Sequence, residues 1–559
     1  MTRQIPKTKR SCQSNSSAPI FLYSVQIYLY HNQSPISEKM EIWFSLIITI
    51  SISALLKAIF DVFFPSNKST TYYILPPGPV HFPIISNILW LRYSFLELTH
   101  FIRSLHNKLG PMITVHIGSR PAIIIADRSL AHQALIQKGA IFADRPEADT
   151  IRKISSCNQH NINSSFYGPT WRLLRRNLTS EILHPSRVKS YSHARSWVLQ
   201  ILLKRLDSQS KFGKLPVRVV DNFHFAMFCL LVLMCFGDKL DEKQIEEIER
   251  VERAAILNAR KFAILNFWPR LTKILFRKRW SDFFQLLKDR EEVLLPLIRA
   301  RKKVSEERQR QSNNKKEDDY VLAYVDTLLD LQLPDEKRKL SEKEIVTLCN
   351  EFLNGGTNTT STTLQWIMAN LVKYPHIQEK LFMEIKGVVG NEEREIKEGD
   401  LQKMPYLKAV ILEGLRRHPP VHMLLPHAVS EDVILDKYLV PKNGTVNFMV
   451  ADMGWDPKVW EDPMTFKPER FLSVGKNGDD VFDITGSREI KMMPFGVGRR
   501  ICPGHGLAML HLEYFVANLV WNFEWKIVDG DDVDLTEKEE LTVVMKNPLQ
   551  AHIFPRCRT

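Results

Sequence analysis

A single long helix is predicted in the second half of the chain, and it constrains the fold more than any other segment. Ser341 and Glu344 form a capping-box pattern at its start, and Pro375 marks its end. At about 1.5 Å per residue, such a helix spans roughly 45 to 50 Å, which is enough to cross a whole domain. Gly355 and Gly356 lie at its middle, where each costs about 1 kcal/mol relative to alanine, so another group is expected to lie against the backbone there.

The remaining sequence indicates one large, mainly α-helical domain with a small β-sheet region. The chain has 559 residues, 44% of them hydrophobic, so it can bury a substantial core, and helical periodicities outnumber strand-like runs. Short strand patterns between residues 432 and 450 predict the small sheet, with a turn at PKNG. The mixed-charge run from Ser305 to Asp319 is expected to be a mobile connection, and the apolar run after Cys502 a buried helix.

Cysteine usage and charge limit the class of protein. Seven cysteines are scattered through the chain without paired metal spacing, which argues against a disulfide framework and indicates a reducing compartment. The net charge of +13 suits a nucleic acid, a membrane surface or an acidic protein, but no nucleic-acid-binding motif accompanies it. We therefore expect no nucleic acid partner, and Arg172, Arg176 and Arg499 are candidates for docking an acidic protein.

One cysteine differs from the others in its surroundings. Cys502 lies in the run PFGVGRRICPGHGLA, a glycine-rich turn that leads directly into an apolar helix. The specified residues of this pattern are Phe495, Gly498, Arg500, Cys502 and Gly504. Glycines let backbone N–H groups approach the sulfur, and the positive end of the helix dipole lowers the pKa of the thiol. The pattern therefore indicates a single thiolate presented to an iron, with Arg500 available to an anionic group on a cofactor.

Two further pairs of residues have helical spacing and suit charged partners. Glu413 and Arg416 are three residues apart on a predicted helix, so they can pair with each other and with Arg470 in the later run FKPERF. Trp171 and Arg175 lie one helical turn apart, and an indole N–H beside a guanidinium suits a carboxylate. Either pair alone is typical of an exposed helix face. A functional role is indicated because both pairs occur in a fixed order with the Cys502 motif.

Together and in this order, the motifs resemble those of the cytochrome P450 superfamily, and in detail they are similar to the plant microsomal A-type enzymes of family eighty-nine, subfamily A. The resemblance covers the chain from Met40 to its C-terminus and implies the cytochrome P450 fold with an N-terminal transmembrane anchor. It implies haem b with Cys502 as the axial ligand of the iron, and insertion of one oxygen atom from O2 into a mostly hydrophobic organic substrate. The electrons would come from NADPH through a flavoprotein reductase.

The resemblance also assigns roles to individual residues. Haem binding falls to Trp171, Arg175, His427, Phe495, Gly498, Arg500, Cys502 and Gly504. A buried charged triad that braces the haem side falls to Glu413, Arg416 and Arg470. The substrate pocket would draw on residues 161–166, 223–228, 421–425 and 542–545.

The oxygen side of the haem is expected at the middle of the long helix. Thr359 resembles the threonine that hydrogen-bonds to oxygen and helps to route protons to it. The residue before that threonine is usually an acid in this family, whereas here it is Asn358, which cannot supply a titrating proton. Proton delivery is therefore expected to run through water or another acid, or else oxygen activation is less well coupled to substrate oxidation.

Membrane attachment is predicted near the start of the chain. Residues 42–64 form a run of 23 residues in which only Lys57 and Asp61 are charged, and this length is close to the roughly 20 residues that cross a bilayer. The stiff stretch PPGP follows and resembles the hinge of microsomal family members. We expect a single-pass anchor at 40–64, a hinge at 65–80, and a catalytic domain from residue 81 to residue 559 on the cytosolic face of the endoplasmic reticulum.

The first 39 residues do not fit that orientation. They carry five basic residues, namely Arg3, Lys7, Lys9, Arg10 and Lys39. Positive charge on that side of the anchor would draw it into the cytosol and force the catalytic domain to the lumen. We expect residues 1–39 to reflect a misassigned or alternative upstream start, with a serine-rich plastid-type transit peptide as the competing interpretation.

Two other classes of function stay open on the sequence. A haem-thiolate isomerase or dehydratase would act on a peroxide without a reductase, but such relatives typically lack the residues that Gly355, Gly356 and Thr359 supply here. A non-catalytic haem-binding sensor would tolerate Asn358. NADPH consumption that depends on both reductase and substrate separates the three classes.

Overall fold

The computed structural model divides the chain into two compact units, residues 1–72 and residues 73–559. It describes residues 45–54, 56–57, 74–79, 95–117, 120–266, 268–310, 321–390, 392–472, 482–528 and 532–556. In the first unit, the apolar helix α1 (Ser45–Ala54) exposes large side chains such as Leu46 and Ile50. The predicted extension at 1–39 and most of the predicted anchor lie outside the described residues.

The second unit is mainly helical, as the sequence predicts. Its helices are α2 (Phe95–Leu109), α3 (Arg128–His132), α4 (Thr150–Ser155), α5 (Pro169–Asn177), α6 (Pro185–Ser190), α7 (Ser192–Ser210), α8 (Val219–Phe236), α9 (Glu242–Phe262), α10 (Pro269–Leu275), α11 (Arg277–Arg310), α12 (Tyr324–Leu328), α13 (Glu342–Lys373), α14 (Pro375–Val389), α15 (Glu398–Leu401), α16 (Pro405–Arg417), α17 (Val450–Gly454) and α18 (His505–Asn522). Short 3₁₀ or π turns occur at Gln133–Gln137, Ile141–Ala143, Leu178–Ile182, Ala263–Asn266, Pro468–Phe471 and Gly498–Arg500.

The strands form small sheets at the edge of the helical body. They are β1 (Met112–Ile117), β2 (Arg120–Ile125), β3 (Val217–Arg218), β4 (Gln332–Leu333), β5 (Arg338–Lys339), β6 (His427–Ala428), β7 (Val433–Leu435), β8 (Tyr438–Val440), β9 (Thr445–Phe448), β10 (Phe523–Lys526), β11 (Glu537–Glu539), β12 (Val543–Met545) and β13 (Gln550–Pro555). The largest sheet has the order β1-β2-β9-β6, in which only β2 and β9 run parallel. A second sheet has the order β10-β13-β3, and the remaining pairs are β4-β5, β7-β8 and β11-β12. The predicted strands between residues 432 and 450 are thus confirmed as β7, β8 and β9.

The central helix α13 begins and ends where the sequence predicts. The Ser341 hydroxyl accepts a hydrogen bond from the Glu344 N–H, and the Glu344 side chain accepts one from the Ser341 N–H at 2.7 Å. This reciprocal capping box satisfies N–H groups that have no partner inside the helix. The helix ends at Lys373, two residues before Pro375, and its second half from Thr360 is buried on all sides.

Helix α8 forms the centre of the core beside α13. Almost every side chain from Phe225 to Phe236 is buried, and the same core cluster includes residues of α7, α13 and α18. Of the described helices, α8 alone is long and apolar enough to cross a membrane, and 83% of its apolar window is buried within the fold. Its apolar character therefore reflects its place in the core.

Two predicted connections differ in part from the structure. Helix α11 continues to Arg310, so the first six residues of the expected mobile run from Ser305 are helical. Residues 311–320 lie outside the described part of the chain. Within the predicted hinge, the Pro77 carbonyl accepts a hydrogen bond from the Thr114 N–H of β1 at 2.9 Å, and Ile74 forms a bridge with Tyr438. The PPGP stretch is therefore attached to the sheets of the second unit.

Candidate functional site

The loop that carries Cys502 is folded back on itself. The Cys502 N–H donates to the Phe495 carbonyl at 2.8 Å, and α18 begins three residues later with Gly504 as its N-cap. Gly498 has a φ of +72°, and a Cβ there would lie 2.1 Å from the Leu135 carbonyl oxygen. Only glycine fits that position, because any side chain would meet backbone that cannot move away cheaply.

The thiol of Cys502 lies in an environment of opposing effects. Burial raises its pKa above the usual value of a thiol, and a hydrogen bond from the Gly504 N–H and the nearby Arg175 guanidinium offset this rise only in part, so the lowered pKa expected from the sequence is not found in the protein alone. Arg175 is itself fixed by donating from Nη2 to the Ile501 carbonyl at 2.6 Å. Burial also raises the pKa of the Cys229 thiol, to about 12, and Cys229 lies in the middle of a helix rather than beside a helix start as Cys502 does. Cys502 therefore has the electropositive, backbone-donor surroundings that favour a thiolate ligand.

Positive charge is concentrated next to this loop. Arg500 donates to three backbone carbonyls, those of Ala143 and Ser165 at 2.7 Å and that of Ile162 at 3.3 Å. Burial, and next the neighbouring cation Arg145, lowers the pKa of Arg500 to about 9. Burial also lowers the pKa of Arg145 to about 10. Two guanidinium groups held together in this way are suited to an added anion.

Trp171 supplies a hydrogen-bond donor beside these cations. Its ring lies 4.4 Å from the Arg500 guanidinium carbon and 6.0 Å from that of Arg175. The indole Nε1 is buried and has no hydrogen-bond partner among the described residues. A buried N–H without a partner is costly, so a bound acceptor is expected there. The thiol, the cations and this indole together fit haem, whose carboxylate groups would meet Trp171, Arg175 and Arg500.

His427 does not supply the positive charge that the resemblance assigns to this position. It is buried, and its Nδ1 lies 2.7 Å from the Phe142 carbonyl, to which it donates. Burial, followed by repulsion from Arg145, lowers the pKa of His427 to about 3, so the ring is neutral near neutral pH. Arg145, which sequence reasoning missed, provides the cation instead. A single arginine before a proline has no spacing that would have revealed it.

The predicted triad is brought together by the fold. Glu413 and Arg416 have no solvent-exposed side-chain surface, and the Glu413 carboxylate accepts from Arg416 Nε at 2.7 Å and from Nη2 at 2.8 Å. Arg470 donates from Nε at 3.3 Å, and the Lys467 N–H donates at 2.8 Å. Arg416 also donates from Nη1 to the Gly454 carbonyl at 2.7 Å. This network connects α16 with α17 and the 3₁₀ turn that precedes the Cys502 loop.

The middle of α13 has one open face and one packed face. A Cβ added to Gly355 would meet nothing within 4 Å, whereas one added to Gly356 would lie 2.7 Å from Leu231 of α8. Thr359 is half-buried on the open side, and its hydroxyl donates to the Gly355 carbonyl at 2.8 Å. Asn358 instead faces α8, where its Oδ1 lies 3.3 Å from His224 Nε2. The structure therefore separates the two residues that sequence analysis assigned to oxygen chemistry.

Glu351 connects α13 with the Cys502 side and was missed by sequence reasoning. Its carboxylate accepts from the N–H groups of Ile162 and Asn163 at 2.8 and 2.7 Å. Burial of this carboxylate raises its pKa to about 7, although these two N–H groups and Arg145 oppose the rise. Arg500 donates to the Ile162 carbonyl. The segment around Ile162 is therefore hydrogen-bonded both to α13, through Glu351, and to the Cys502 loop, through Arg500.

Two of the segments predicted to line the substrate pocket, residues 223–228 and residues 542–545, lie in different parts of the fold. Residues 223–228 lie in the core helix α8, and all of them except His224 are buried in apolar surroundings. Thr542 is buried and within 2.8 Å of the Thr362 hydroxyl of α13, and the Trp366 indole donates to the Val543 carbonyl at 2.7 Å. The hairpin of β11 and β12 is thus fixed to α13, and the apolar side chains of α8 belong to the core.

Comparison with known proteins agrees with this architecture. A zebrafish cytochrome P450 structure with progesterone covers 82% of this chain and 99% of its own, with a TM-score of 0.67 at 21% identity. The family model for cytochrome P450 matches residues 76–554. The chain belongs to the cytochrome P450 family.

Individual relatives narrow the position within the family. Cytochrome P450 89A9 of Arabidopsis thaliana is 51% identical over 524 residues, which is 92% of this chain and 98% of the relative. The flavonoid 3'-monooxygenase of the same plant is 28% identical over 92% of this chain and 98% of its own. The predicted similarity to plant family eighty-nine, subfamily A, is confirmed, as is the prediction of a haem-thiolate monooxygenase at the level of the family.

Proposed function

We propose that this protein is a membrane-anchored monooxygenase in which Cys502 is the axial ligand of haem iron. The observation that carries the proposal is the arrangement at the start of α18. A thiol lies beside the Gly504 N–H and Arg175, next to buried cations and an indole N–H that lacks a partner. Haem satisfies each of these groups at once, because it has an iron for the sulfur and carboxylates for the donors.

Different residues of the protein would bind the haem, shape the Cys502 loop and contact oxygen. When bound, haem supplies the chemistry that activates O2 for insertion of one oxygen atom. Trp171, Arg175 and Arg500 would hold its carboxylates, while Phe495, Gly498 and Gly504 shape the Cys502 loop. The open face of α13 beside Gly355 would admit oxygen, and the half-buried Thr359 hydroxyl would hydrogen-bond there.

The thiolate assignment is tested by spectroscopy of the purified chain. Reduced, CO-treated protein should show the red-shifted Soret band of thiolate-ligated haem, and Cys502→Ala should abolish this band. Cys157→Ala is the matched control, because Cys157 is also half-buried but lies 3.3 Å from the Thr347 hydroxyl, away from the loop. Retention of the band in Cys502→Ala, or its loss in Cys157→Ala, would contradict the assignment.

The electrons would come from NADPH through a flavoprotein reductase that docks on the Cys502 side. Arg172, Arg176 and Arg499 are exposed there, and a cationic surface favours an acidic partner. NADPH consumption should require the reductase and should fall with rising salt. Consumption of a peroxide without reductase would instead indicate an isomerase or dehydratase.

The anchor would place the protein in the endoplasmic reticulum membrane with the catalytic domain, residues 81–559, in the cytosol. Exposed apolar side chains on α1 support an anchor at 40–64, and the working chain would begin at Met40. N-terminal sequencing of the protein from tissue, together with protease treatment of intact microsomes, tests both statements. A mature form that retains residues before Met40, or a protease-protected domain, would contradict them.

The substrate would be a mostly hydrophobic organic molecule. Relatives include a flavonoid 3'-monooxygenase, but its low identity of 28% does not carry that substrate over to this chain. Comparison of metabolites from plants with and without the protein is the direct test. Accumulation of an apolar compound in plants without the protein, and its oxidation by the reconstituted enzyme, is the expected result.

A further inference from the structure

Asn358 is the last member of a row of asparagines along α13. Asn350, Asn354 and Asn358 are four residues apart, so their side chains share one face of the helix. The Asn354 Nδ2 donates to the Asn350 Oδ1 at 2.7 Å, and the Asn358 Nδ2 donates to the Asn354 carbonyl at 3.1 Å. The reverse orientation of the Asn358 amide would set its oxygen against that carbonyl oxygen. The amide oxygen of Asn358 therefore points toward α8.

His224 of α8 meets this oxygen, although it is 134 residues away in the sequence. Its Nε2 lies 3.3 Å from Asn358 Oδ1, and its Nδ1 lies 2.6 Å from Oε1 of Glu249 in α9. Both neighbours are acceptors, so each contact needs a hydrogen between its two atoms. An oxygen atom therefore lies within hydrogen-bond distance of each ring nitrogen of His224.

The same pair reaches solvent. The side chains of His224 and Glu249 are 15% and 16% exposed, so a proton given up on the Asn358 side can be replaced from water. The ring of Phe228 lies nearly parallel to the imidazole, with centroids 6.3 Å apart. On the preceding turn of α8, Asp221 faces Arg253 of α9 at 3.7 Å, so the nearby charges are already paired.

We propose that Glu249 and His224 form a proton relay that acts through Asn358 and replaces the acid expected at that position. This inference rests on the proposed monooxygenase function. Asn358 orients the imidazole through its Oδ1, His224 gives up the Nε2 proton to water next to Asn358, and solvent returns a proton to Nδ1 through Glu249. His224 and Glu249 are positioning residues, because they act through Asn358 and water.

When no organic substrate is present, the relay determines whether O2 is reduced to H2O2 or to H2O. One NADPH, one proton and one O2 give NADP⁺ and one H2O2. Two NADPH, two protons and one O2 give two NADP⁺ and two H2O, so breaking the O–O bond needs further protons at the site. A relay that works therefore lowers the ratio of H2O2 formed to NADPH consumed.

The first test measures this ratio in the full chain reconstituted with reductase, in air and without substrate. Wild type should give a ratio well below one, and His224→Gln, which keeps an N–H donor but carries no titrating proton, should raise it severalfold. Glu249→Gln should raise it as well. Glu242→Gln is the matched control, because Glu242 lies on the same helix α9 but pairs with Arg205, and it should leave the ratio unchanged. A wild-type ratio of one, or an unchanged ratio in His224→Gln, overturns the relay.

A rescue separates proton supply from a structural role. Adding Asn358→Asp to His224→Gln should return the ratio toward the wild-type value, because the acid can then titrate beside Thr359. No recovery in the double variant would overturn the interpretation. The red-shifted band of the CO complex is recorded for every variant. Its absence would count against the proposed function, whereas a normal band with an unchanged ratio counts against the relay alone.

A second measurement does not depend on turnover. Thermal unfolding of the full chain is followed by circular dichroism for His224→Gln, Glu249→Gln and the double variant. Because the two residues share one contact, the double variant should lose little more in Tm than the larger single loss. His224→Gln combined with Glu242→Gln should instead show additive losses. Additive losses for His224 and Glu249 would show that the pair does not exist in solution.

Discussion

The buried triad makes the strongest prediction about stability. Glu413→Gln keeps the size of the side chain but removes its charge and replaces one acceptor oxygen with an NH2 group. That carboxylate accepts four hydrogen bonds, from Arg416 Nε and Nη2, Arg470 Nε and the Lys467 N–H, at 2.7 to 3.3 Å. In the variant, the buried Arg416 cation would lose its only charged partner among its described contacts, and a donor would face a donor.

The expected cost follows from the burial of the pair. Removing one partner of a buried ion pair costs about 3 to 5 kcal/mol, because the remaining charge has no compensation. A folded domain is stable by only about 5 to 15 kcal/mol, so Glu413→Gln should remove a large part of that margin. Arg416→Lys keeps the charge but cannot donate two parallel hydrogen bonds, and it should fall between wild type and Glu413→Gln.

Urea unfolding measures this cost directly. Unfolding is followed by circular dichroism, because the chain's 11 tryptophans do not report on this site alone. The control is Glu469→Gln, because Glu469 pairs with Lys380 at 2.7 Å with both side chains about half exposed, 41% and 51%. Such a pair contributes about 1 kcal/mol or less. If Glu413→Gln were no less stable than Glu469→Gln, the triad would not hold the buried charges in the way the structure indicates.

Three further predictions concern the loop and the central helix. Gly498→Ala should lower both Tm and the amplitude of the CO band, because its φ is +72° and the new Cβ would lie 2.1 Å from a carbonyl oxygen, whereas Gly387→Ala in α14, where a new Cβ would meet nothing within 4 Å, should lower neither. Burial raises the pKa of Glu351 to about 7, so its protonated form favours folding. That contribution is complete below about pH 4.5 and is lost as pH rises through 7, and Glu351→Gln should flatten the fall of Tm over this range. Thr359→Ala should raise the ratio of H2O2 to NADPH, and an unchanged ratio would remove the oxygen-handling role from this hydroxyl.

Local sequence patterns predicted the parts of the fold that short-range physics determines. The capping box at Ser341 and the stop before Pro375 fixed both ends of α13, because caps and proline act within one turn. The strands around the PKNG turn appeared for the same reason. The spacing of Glu413 and Arg416 gave their pairing, since three residues on a helix bring side chains together.

Contacts between distant segments could not be predicted in this way. Arg145 lies beside Arg500 only because the chain around residue 145 packs against the Cys502 loop, and no spacing encodes that approach. His427 was expected to be basic, but its charge depends on burial and on Arg145. An apolar sequence such as that of residues 223–228 is compatible with either a substrate pocket or the hydrophobic core. In the structure these residues pack against α7 and α13 and belong to the core.

The substitution at position 358 shows how a local pattern and a distant contact complement each other. The sequence reveals that an acid is missing, and it also contains a histidine in the largely apolar helix α8. A polar ring in such a helix is costly unless it finds partners, so His224 needed a polar neighbour from another element. Asn358 meets that need, because a neutral amide can accept from an imidazole that is also bound to Glu249. The proposed relay therefore compensates for the missing acid on α13 with an imidazole from α8 and a carboxylate from α9.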